Sequence, residues 1–436
     1  MLCVSFVADV LARLTWRCGP GRVEGTERLT TPGGGSVAAV VTPAPCGATA
    51  RRRTAQMKAD DCAVCAAPLP PPSLRVPDVV VDASLLPASP AEARAVPRGE
   101  LALARCPTCG LIRNLAFDPD LVRYEPEYNA SQWASPAFRR FAEDLARDLV
   151  DRYDLDGGRV LEVGCGRGEL LAVLRSAGVA VAVGVDPSFP PEAAAELPDG
   201  VSVLAEHFSP AHASLGGDAV LCRQTLEHLE DPLTLVRTLR HGFPAGSRVL
   251  YVDVPDAAAV FGGSSTWDLV YPHVNYFEQG TLVRLLVEGG FSVLSSGVTF
   301  GGQFAFAEAV PGSDAPSVPA GPGPADLAHL GRRVRQERAR MSELAEAGRR
   351  VALWGAGARG VTFLDLVDEP RAVGAVVDLN PAKQGRYLPG SGHRIREPAE
   401  LLEFRPDVVL LPNPVYREEV AGMLSGLGVV AELRPV

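Results

Sequence analysis

The sequence predicts an α/β protein built around parallel sheets, and three observations support this. In residues 159–310 and again after residue 350, short β-branched runs alternate with segments of helical periodicity, the pattern of strands joined by crossover helices. Each region opens with a strand, a glycine-rich turn and a helix. Two Cys-x-x-Cys pairs precede them, which indicates a small metal-binding domain on the amino-terminal side.

Composition excludes several classes of protein. The chain has 436 residues, 47% of them hydrophobic, which is enough for several packed cores. Asp plus Glu (52) exceed Lys plus Arg (42), so the net charge is −10, and we expect no nucleic-acid partner. No apolar run reaches the length of about 18 residues that indicates a membrane span, and the first residues lack the layout of a signal peptide. Paired cysteines of this kind indicate a reducing compartment, so we expect a cytoplasmic protein that does not bind membranes.

Composition also divides the chain into segments. Residues 1–56 are rich in Gly, Pro, Ala and Arg without periodicity, which predicts a disordered extension. A translation start at Met57 is an equal alternative, and a targeting role is a third. The other predicted segments are a Cys-rich domain at 57–120, a first glycine-loop domain at 121–310, a Pro/Gly/Ser linker at 311–325 and a second glycine-loop domain at 326–436.

Periodicity predicts individual elements. Phe138, Phe141, Leu145 and Leu149 recur at helical spacing, which predicts an amphipathic helix over Pro136–Tyr153. A charged helix is predicted over Asp326–Arg349. Apolar runs predict strands at Arg159–Val163, Ala180–Val185, Ala219–Leu221, Val249–Val254, Ser292–Ser295, Val351–Trp354, Ala375–Asp378 and Asp407–Leu411.

The two cysteine pairs are Cys62/Cys65 and Cys106/Cys109, with 40 residues between the pairs. Each Cys-x-x-Cys places two thiolates on one tight turn, and two such turns supply a tetrahedral Cys₄ shell. Four protein ligands leave no open coordination position, so the sequence predicts a structural Zn²⁺ rather than a catalytic one. Residues 57–120 are therefore predicted to be a small zinc-binding domain.

The first glycine loop follows an apolar strand. Val160 to Val163 lead into Gly164-Cys165-Gly166-Arg167-Gly168, and Glu162 stands just before the turn. Glycines let a backbone turn pass close to a ligand, and the helix that follows favours negative groups at its start. Asp186 closes the next strand, where an acid can bind ribose hydroxyls. A Gly-x-Gly turn alone is weak evidence for a particular cofactor, since dinucleotide-binding sites also contain it.

With its flanking acids, this loop resembles the E/D-x-G-x-G-x-G motif of class I S-adenosylmethionine (SAM)-dependent methyltransferases. The resemblance implies a class I Rossmann-like fold with SAM as cofactor. It implies that Gly164, Gly166 and Gly168 line the methionine part, that Glu162 organises the loop and that Asp186 holds the ribose. Gln224–Pro232 is similar to the LEHI-x-DP segment of such enzymes, and its histidine, His228, either begins a helix as a structural residue or lines the substrate pocket.

A second motif, Tyr271-Pro272-His273-Val274-Asn275-Tyr276-Phe277, groups aromatic rings around a histidine. The order of paired cysteines, SAM-binding domain, this motif and a Rossmann-like C-terminal domain resembles the sugar 3-C-methyltransferases, which act on nucleotide-linked 4-keto-deoxysugars. The resemblance implies a nucleotide-linked sugar as the small-molecule substrate, and a base that removes its C3 proton before methyl transfer. It implies His273 as that base, His228 at the enolate oxygen, and Tyr128 and Tyr276 as further site residues.

One departure from that family bears on the mechanism. The family carries a glutamate directly before the histidine, and this chain has Pro272. The departure leaves open an O- or N-methyltransferase acting on another small metabolite. A non-catalytic SAM- or nucleotide-binding partner protein and a zinc-ribbon RNA methyltransferase are further alternatives. The intact glycine loop argues against a non-catalytic protein, and the net negative charge argues against an RNA methyltransferase.

The C-terminal domain has a glycine motif of its own. Leu353-Trp354-Gly355-Ala356-Gly357-Ala358-Arg359-Gly360 is a Gly-x-Gly-x-x-Gly turn after a strand, and Asp378 closes the next strand. Taken alone, this pattern suggests a dinucleotide site. The alternatives are glycines that allow close helix–strand packing, or a loop that binds substrate phosphates together with Lys383, Arg386 and His393. The sequence does not predict an oligomeric state.

Overall fold

The computed structural model describes residues 61–122, 132–244, 246–312, 326–367 and 372–436. These residues belong to one compact unit, Lys58–Val436. The predicted extension 1–56, the linker after residue 312 and the site residue Tyr128 lie outside the described residues.

The described residues form sixteen strands and ten α-helices. The strands are β1 Leu74–Val80, β2 Arg98–Arg105, β3 Ile112–Asn114, β4 Arg159–Val163, β5 Val181–Val185, β6 Val201–Leu204, β7 Ala219–Arg223, β8 Val249–Pro255, β9 Asn275–Tyr276, β10 Phe291–Thr299, β11 Phe304–Pro311, β12 Val351–Trp354, β13 Val373–Val377, β14 Ile395–Arg396, β15 Val408–Leu411 and β16 Glu432–Pro435. The helices are α1 Pro90–Arg94, α2 Pro136–Tyr153, α3 Glu169–Ser176, α4 Pro232–His241, α5 Ala257–Gly262, α6 Gln279–Glu288, α7 Leu327–Glu346, α8 Ala358–Val367, α9 Leu401–Phe404 and α10 Arg417–Leu427.

The central sheet has seven strands in the order β10-β11-β8-β7-β4-β5-β6. Strands β4 to β8 are parallel, whereas β11 pairs antiparallel with β8 and β10 antiparallel with β11. The chain runs outward from β4 in both directions, so β4 and β7 flank a switch point, where open α/β sheets bind ligands at the carboxyl ends of their strands. The first glycine loop leaves β4 at this edge.

The C-terminal sheet repeats this arrangement. Five strands in the order β14-β13-β12-β15-β16 are all parallel. The second glycine loop follows β12, whose neighbours β13 and β15 come later in the chain, so this sheet has a switch point of its own. The fold class predicted from the sequence, α/β with parallel sheets, is confirmed.

The amino-terminal sheet includes a strand from far along the chain. Its order is β1-β2-β3-β9, and β3 pairs antiparallel with β9, with Ile112 opposite Tyr276. The strand β9 belongs to the Tyr271–Phe277 motif. The paired-cysteine region therefore supports the segment that carries His273.

Local signals explain the best-defined helix. Ser135 accepts a hydrogen bond at its side chain from the N–H of Phe138, and Pro136 occupies the first turn, both typical of a helix start. The predicted bounds of α2 are confirmed, and the helix buries one face, formed by Phe138, Ala142, Ala146, Leu149 and Val150. None of the helices in the described ranges combines the length and hydropathy that a transmembrane passage requires.

Candidate active site

The turn after β4 forms a backbone cradle. Gly164, Gly166 and Gly168 have φ angles of 76°, 54° and 82°, in the left-handed region that favours glycine. A Cβ atom at Gly164 would lie 2.0 Å from Oγ1 of Thr225, whereas one at Gly166 would meet no described atom within 4 Å. Glycine at 164 is therefore needed for close packing, and Gly166 borders open space.

Asp186, just after β5, anchors this cradle. Its Oδ2 atom accepts a hydrogen bond from the backbone N–H of Gly166 at 2.8 Å. Its Oδ1 atom accepts hydrogen bonds from the N–H and the hydroxyl of Ser188 at 2.8 and 2.7 Å. The helix α3 begins directly after Gly168, so unpaired N–H groups of its first turn lie close to the cradle. The loop and the acid predicted from the sequence are thus in direct contact.

Three buried ionisable side chains, Glu162, Arg223 and Asp253, lie beside the cradle. Burial raises the pKa of Glu162 to about 8, although Arg223 opposes the rise. Arg223 donates from Nε to Oδ2 of Asp253 at 2.7 Å. Glu162 Oε2, Arg223 Nη2 and Asp253 Oδ1 are buried and lack a hydrogen-bond partner in the described part of the chain. Buried polar atoms rarely stay unpaired, so this edge of the sheet suits a polar ligand.

His228 and His273 lie together. Their ring centroids are 4.8 Å apart and their planes are inclined by 78°. Nδ1 of His228 is 3.2 Å from the carbonyl oxygen of Pro272, so we assign the proton of His228 to Nδ1, which donates to that carbonyl. Nδ1 of His273 is buried and has no partner among the described residues.

Burial favours the neutral form of both imidazoles. Burial lowers the pKa of His228 to about 3, and the neighbouring His273 adds to the effect. Burial lowers the pKa of His273 to about 4, with Asp268 opposing the change and Arg359 reinforcing it. A neutral imidazole has a free lone pair, so His273 is in the protonation state that a general base needs.

Tyr276 holds the loop that carries His273. The N–H of His273 and the hydroxyl of Tyr276 both donate to the carbonyl oxygen of Val270, at 3.2 and 3.1 Å. Asn275 next to it donates to the carbonyl oxygen of Leu229 at 2.6 Å, which ties this loop to the turn that carries His228. The hydroxyl of Tyr276 is thus engaged in positioning. Tyr128, the remaining predicted site residue, is outside the described residues.

Glu227 lies beside the two histidines. One ligating atom from each of Glu227, His228 and His273 lies within 4.8 Å of the other two, a grouping that could hold a metal ion. Both carboxyl oxygens of Glu227 are buried without a hydrogen-bond partner in the described residues. Burial raises the pKa of this carboxyl well above its ordinary value, which favours its protonated form. Glu227 was not among the site residues predicted from the sequence.

Two further residues were also missed from the sequence. Arg359, in α8, donates from Nη2 to Oδ2 of Asp268 at 2.9 Å, and both side chains are at least 85% buried. The sequence did contain a signal for Asp268, which is the only Asp, Glu, Lys or Arg in the otherwise uncharged residues 257–277. Ser265, Thr266 and Trp267, just before it, each carry a buried polar atom without a partner among the described residues.

The four paired cysteines come together. Sγ of Cys62 is 3.4 Å from Sγ of Cys109, and Sγ of Cys65 is 3.5 Å from Sγ of Cys106. In a tetrahedral site with Zn–S bonds of about 2.3 Å, sulfur atoms lie roughly 3.8 Å apart. The four Sγ atoms lie within 4.8 Å of one another, so the arrangement is compatible with a zinc site.

The two cysteine turns have the same backbone form. The N–H of Cys62 donates to the carbonyl of Ala67, and the N–H of Cys106 donates to that of Leu111, both at 2.8 Å. The residue after each second cysteine has positive φ, at Ala66 and Gly110. The second turn is fixed to the central domain, because Oγ1 of Thr281 in α6 donates to the carbonyl of Cys109 at 2.8 Å.

The C-terminal glycine loop lies at its own switch point. Oδ2 of Asp378 accepts from the N–H of Ala356 at 2.7 Å. Gly360 allows close packing, since a Cβ there would lie 2.0 Å from the carbonyl oxygen of Gly355. Lys383 is 6% exposed, and its Nζ lies 3.7 Å from Oδ2 of Asp378. The loop is thus bordered by a buried cation.

The C-terminal module also contacts the central domain at two further places. Gln303, between β10 and β11, and Asn413, after β15, exchange side-chain hydrogen bonds of 2.7 and 3.3 Å. Glu419 in α10 accepts hydrogen bonds from the Ser135 hydroxyl and the Ala137 N–H at 2.9 and 2.7 Å. The start of α2 is therefore held by the C-terminal module.

Comparison with known protein families defines the class of protein. Residues 138–296 match the family described as a methyltransferase domain, and residues 327–427 match the family described as a C-methyltransferase C-terminal domain. The first match includes β4, its glycine loop and His273, and the second includes α8 and the second glycine loop. The protein is a SAM-dependent methyltransferase with an α/β class I fold. No curated protein matches the chain.

Several solved structures are similar to part of the chain. Magnesium protoporphyrin IX methyltransferase from Synechocystis PCC 6803 with bound SAH is 21% identical, with 40% of this chain and 84% of that chain covered and a TM-score of 0.31. N-methyltransferase NodS from Bradyrhizobium japonicum WM9 is 15% identical, with 41% and 98% covered and a TM-score of 0.30. A SAM-dependent methyltransferase from Mesorhizobium loti is 15% identical, with 38% and 99% covered and a TM-score of 0.29.

Proposed function

We propose that this enzyme C-methylates a nucleotide-linked 4-keto-deoxysugar. The observation that carries the proposal is that a module matching the C-methyltransferase C-terminal domain contacts the segment of His273 directly, through Arg359 and Asp268. A neutral buried imidazole is suited to removing a proton from carbon next to a ketone. The cytoplasmic location expected from the sequence fits a substrate made from a nucleotide.

The cofactor site we propose is the cradle after β4. Gly164, Gly166 and Gly168 let the backbone approach the methionine part of SAM, and Gly166 borders open space. Asp186 would receive the ribose hydroxyls while it keeps its bond to the Gly166 N–H. Glu162, with its unpaired Oε2, would face the ammonium group, and a positive charge there would favour its ionised form.

The reaction we propose begins at C3 of the sugar. His273 takes the C3 proton and becomes imidazolium, and the C–H electron pair moves into the enolate that the C4 ketone forms. SAM supplies an electrophilic methyl group, so the enolate carbon gains the new C–C bond while the S–CH₃ electron pair stays on sulfur, giving S-adenosylhomocysteine. Asp268 stabilises the imidazolium, because its carboxylate raises the pKa of His273. His228 and Tyr276 keep the loop in position.

The nucleotide would lie along the C-terminal module. The helix α8 begins after the second glycine loop, and a helix N-terminus favours phosphate groups. The buried ammonium of Lys383 lies 3.9 Å from where a Cβ of Gly357 would be. Phosphate oxygens placed there would complete the partners of Lys383.

The test is a reaction in heavy water with SAM and a panel of nucleotide-linked 4-keto-deoxysugars, followed by mass spectrometry. We expect a product heavier by one methyl group, with fragmentation placing it at C3. His273→Ala should lose methylation by at least about 10²-fold and retain SAM binding. The matched control is His241→Ala, since His241 is an exposed histidine at the end of α4. Equal activity in both variants would exclude His273 as the base.

Pro272 favours a second candidate function. The position directly before His273 carries a carbonyl that accepts from His228 and no carboxylate. A neutral His273 could equally deprotonate a hydroxyl or an ammonium group of another metabolite, which would give O- or N-methylation. Wild-type enzyme that binds SAM but neither exchanges nor methylates any keto sugar would favour this candidate.

We also propose that Cys62, Cys65, Cys106 and Cys109 hold one structural Zn²⁺. Four thiolates close the coordination shell, and the metal would serve to hold the two cysteine turns together. Metal analysis of the purified protein should find one zinc per chain, and none in Cys106→Ser. Two metal ions per wild-type chain would instead indicate that Glu227, His228 and His273 also bind metal, which would exclude His273 as a free base.

A further inference from the structure

One face of α8 docks on the segment that leads to His273. Arg359, Thr362 and Phe363 lie at spacings of three and four residues, which places them on the same side of a helix. Arg359 pairs with Asp268 at 2.9 Å, and the hydroxyl of Thr362 donates to the carbonyl of Leu269 at 3.1 Å. The ring of Phe363 packs edge-on against Trp267 at 4.9 Å between centroids. Three consecutive residues of the central domain are thus matched by one helix face.

Arg359 is not fully used by this docking. Its Nη2 atom donates to Asp268, but its Nη1 atom is buried and has no acceptor within the described ranges. A guanidinium carries five donors and no acceptor, and burying one of them without an acceptor is unfavourable. The free donor therefore points to an acceptor oxygen brought by a ligand.

The surroundings of Arg359 show what kind of oxygen that is. Proton removal by His273 creates a positive imidazolium and a negative oxygen on the acceptor. Asp268 and Arg359 form a pair of opposite charges, joined at 2.9 Å, on the segment that leads to His273. Asp268 acts to raise the pKa of that histidine, and Arg359 acts to lower it. Such a pair complements the charge separation of the reaction if Asp268 faces the imidazolium and Arg359 faces the oxyanion.

We propose that Arg359 is a catalytic residue supplied by the C-terminal module, and that its Nη1 donates to the acceptor oxygen that becomes anionic when His273 removes the proton. This assignment rests on the proposed function, because it requires an enolate. It gives the C-terminal module a chemical role in the reaction besides that of holding the substrate. The oxygen would be the former C4 ketone oxygen, which gains the charge while the proton stays on His273.

The experiment follows deuterium uptake at C3 and methyl transfer separately, in heavy water, with the full chain. Arg359→Met removes the donor and the charge, and Arg359→Lys keeps the charge. Thr362→Val removes the neighbouring hydrogen bond of the same helix face while leaving Arg359 intact. Loss of one oxyanion donor lowers turnover by about 10²–10³-fold, so we expect Arg359→Met to lose both exchange and methylation by that factor. Arg359→Lys should recover part of the loss, and Thr362→Val should stay within about threefold of wild type.

The other outcomes overturn the assignment in distinguishable ways. If Arg359→Met and Thr362→Val lose the same activity, Arg359 only docks the helix. If Arg359→Met, checked for folding and SAM binding, exchanges deuterium at the wild-type rate, its donor does not meet the enolate. If wild type itself neither exchanges nor methylates, the proposed function fails and the assignment fails with it. A misfolded Arg359→Met leaves Arg359→Lys to decide: a loss of about tenfold or more in both rates supports the assignment, and wild-type rates overturn it.

Discussion

The carboxylate of Asp378 accepts a hydrogen bond from the backbone N–H of Ala356 at 2.7 Å. Asp186 makes the same bond to Gly166 at 2.8 Å in the central domain. In both modules, an acid at the end of the second strand fixes a glycine loop that leaves the first. The two loops are therefore built alike, although we propose SAM for the first and substrate phosphates for the second.

This likeness gives a matched pair of substitutions. Asp186→Ala should weaken SAM binding by at least about tenfold, because it removes the anchor of the cradle and the proposed ribose partner. Asp378→Ala removes the corresponding anchor in the other module and should leave SAM affinity within about twofold of wild type. Isothermal titration with SAM measures both. Equal weakening by the two substitutions would mean that SAM affinity depends on the C-terminal module as well.

The close approach of Gly164 to Thr225 gives a second prediction. Gly164→Ala places a Cβ 2.0 Å from Oγ1 of Thr225 and forces alanine to a φ of 76°. Left-handed backbone disfavours alanine by about 1–2 kcal/mol, and overpacking adds about 1–3 kcal/mol. We expect Gly164→Ala to lower the free energy of unfolding by roughly 2–5 kcal/mol in urea titrations and to weaken SAM binding.

Two variants separate the backbone effect from the clash. Gly157→Ala is the control for φ alone, since Gly157 has a φ of 67° and a Cβ there meets no described atom within 4 Å. It should show only the 1–2 kcal/mol of the backbone term. Thr225→Ala added to Gly164→Ala should recover part of the lost stability, because it removes the nearest atom. A double variant no more stable than the single one would place the strain elsewhere.

Local patterns in the sequence predicted much of the fold. The helix Pro136–Tyr153 and the strands Arg159–Val163 and Val351–Trp354 have the predicted bounds, because caps, periodicity and apolar runs are all local. The strands β6 and β11 were missed. The strand β6 has only four residues and lies at the sheet edge, so its valines form too short a run to stand out. The strand β11 alternates alanine with aromatic and polar residues, and alanine is depleted in strands.

The contacts around His273 could not be predicted in this way. Arg359 and Asp268 are 91 positions apart, and Ile112 opposes Tyr276 from a distant part of the chain. No periodicity or motif encodes such pairs, since they arise when separate modules pack. The motif residues did come together, as shown by the contact of His228 with His273 and of Gly166 with Asp186. Their roles in catalysis and cofactor binding stay predictions.

The buried histidines give a third prediction, on stability against pH. The pKa values of His273 and His228 are lowered to about 4 and 3 from an ordinary 6.5. Between pH 6.5 and these lowered pKa values, the histidines of the unfolded chain bind protons and those of the folded chain do not. Their contribution to the free energy of unfolding is therefore highest above pH 6.5 and decreases as the pH falls. From pH 7 to pH 5, His273 alone should lower the free energy of unfolding by roughly 2 kcal/mol.

A difference between variants isolates this contribution. The buried carboxyls Glu162 and Glu227 have raised pKa values, so they act in the opposite direction and obscure the curve of the wild type. His273→Leu removes one titrating group, and its stability should fall less than that of wild type between pH 7 and pH 5. The control His241→Leu, at an exposed position, should follow wild type. Parallel curves for wild type and His273→Leu would show that His273 titrates normally.

The fourth prediction concerns metal removal. The second cysteine turn precedes β3, which pairs with β9 only two residues after His273. The buried side chain of Arg113 in β3 also donates to the carbonyl of Glu230, near His228. Loss of the metal should therefore loosen the histidine loops, and chelation should raise amide hydrogen exchange at 274–277 as well as in residues 62–111. Activity should fall in step with that exchange, whereas SAM affinity should change little because the cradle lies on β4.

A matched thiol substitution controls for this effect. Cys106→Ser removes one of the four thiolates and should reproduce the chelated state without a chelator. Cys222→Ala removes a buried free thiol of β7, and it should lower stability without changing the metal content or the exchange at 274–277. Chelation that unfolds residues 62–111 and leaves the exchange at 274–277 and the turnover unchanged would contradict the coupling. We expect both the exchange at 274–277 and the turnover to change, because β9 is the edge strand of its sheet and pairs there with β3.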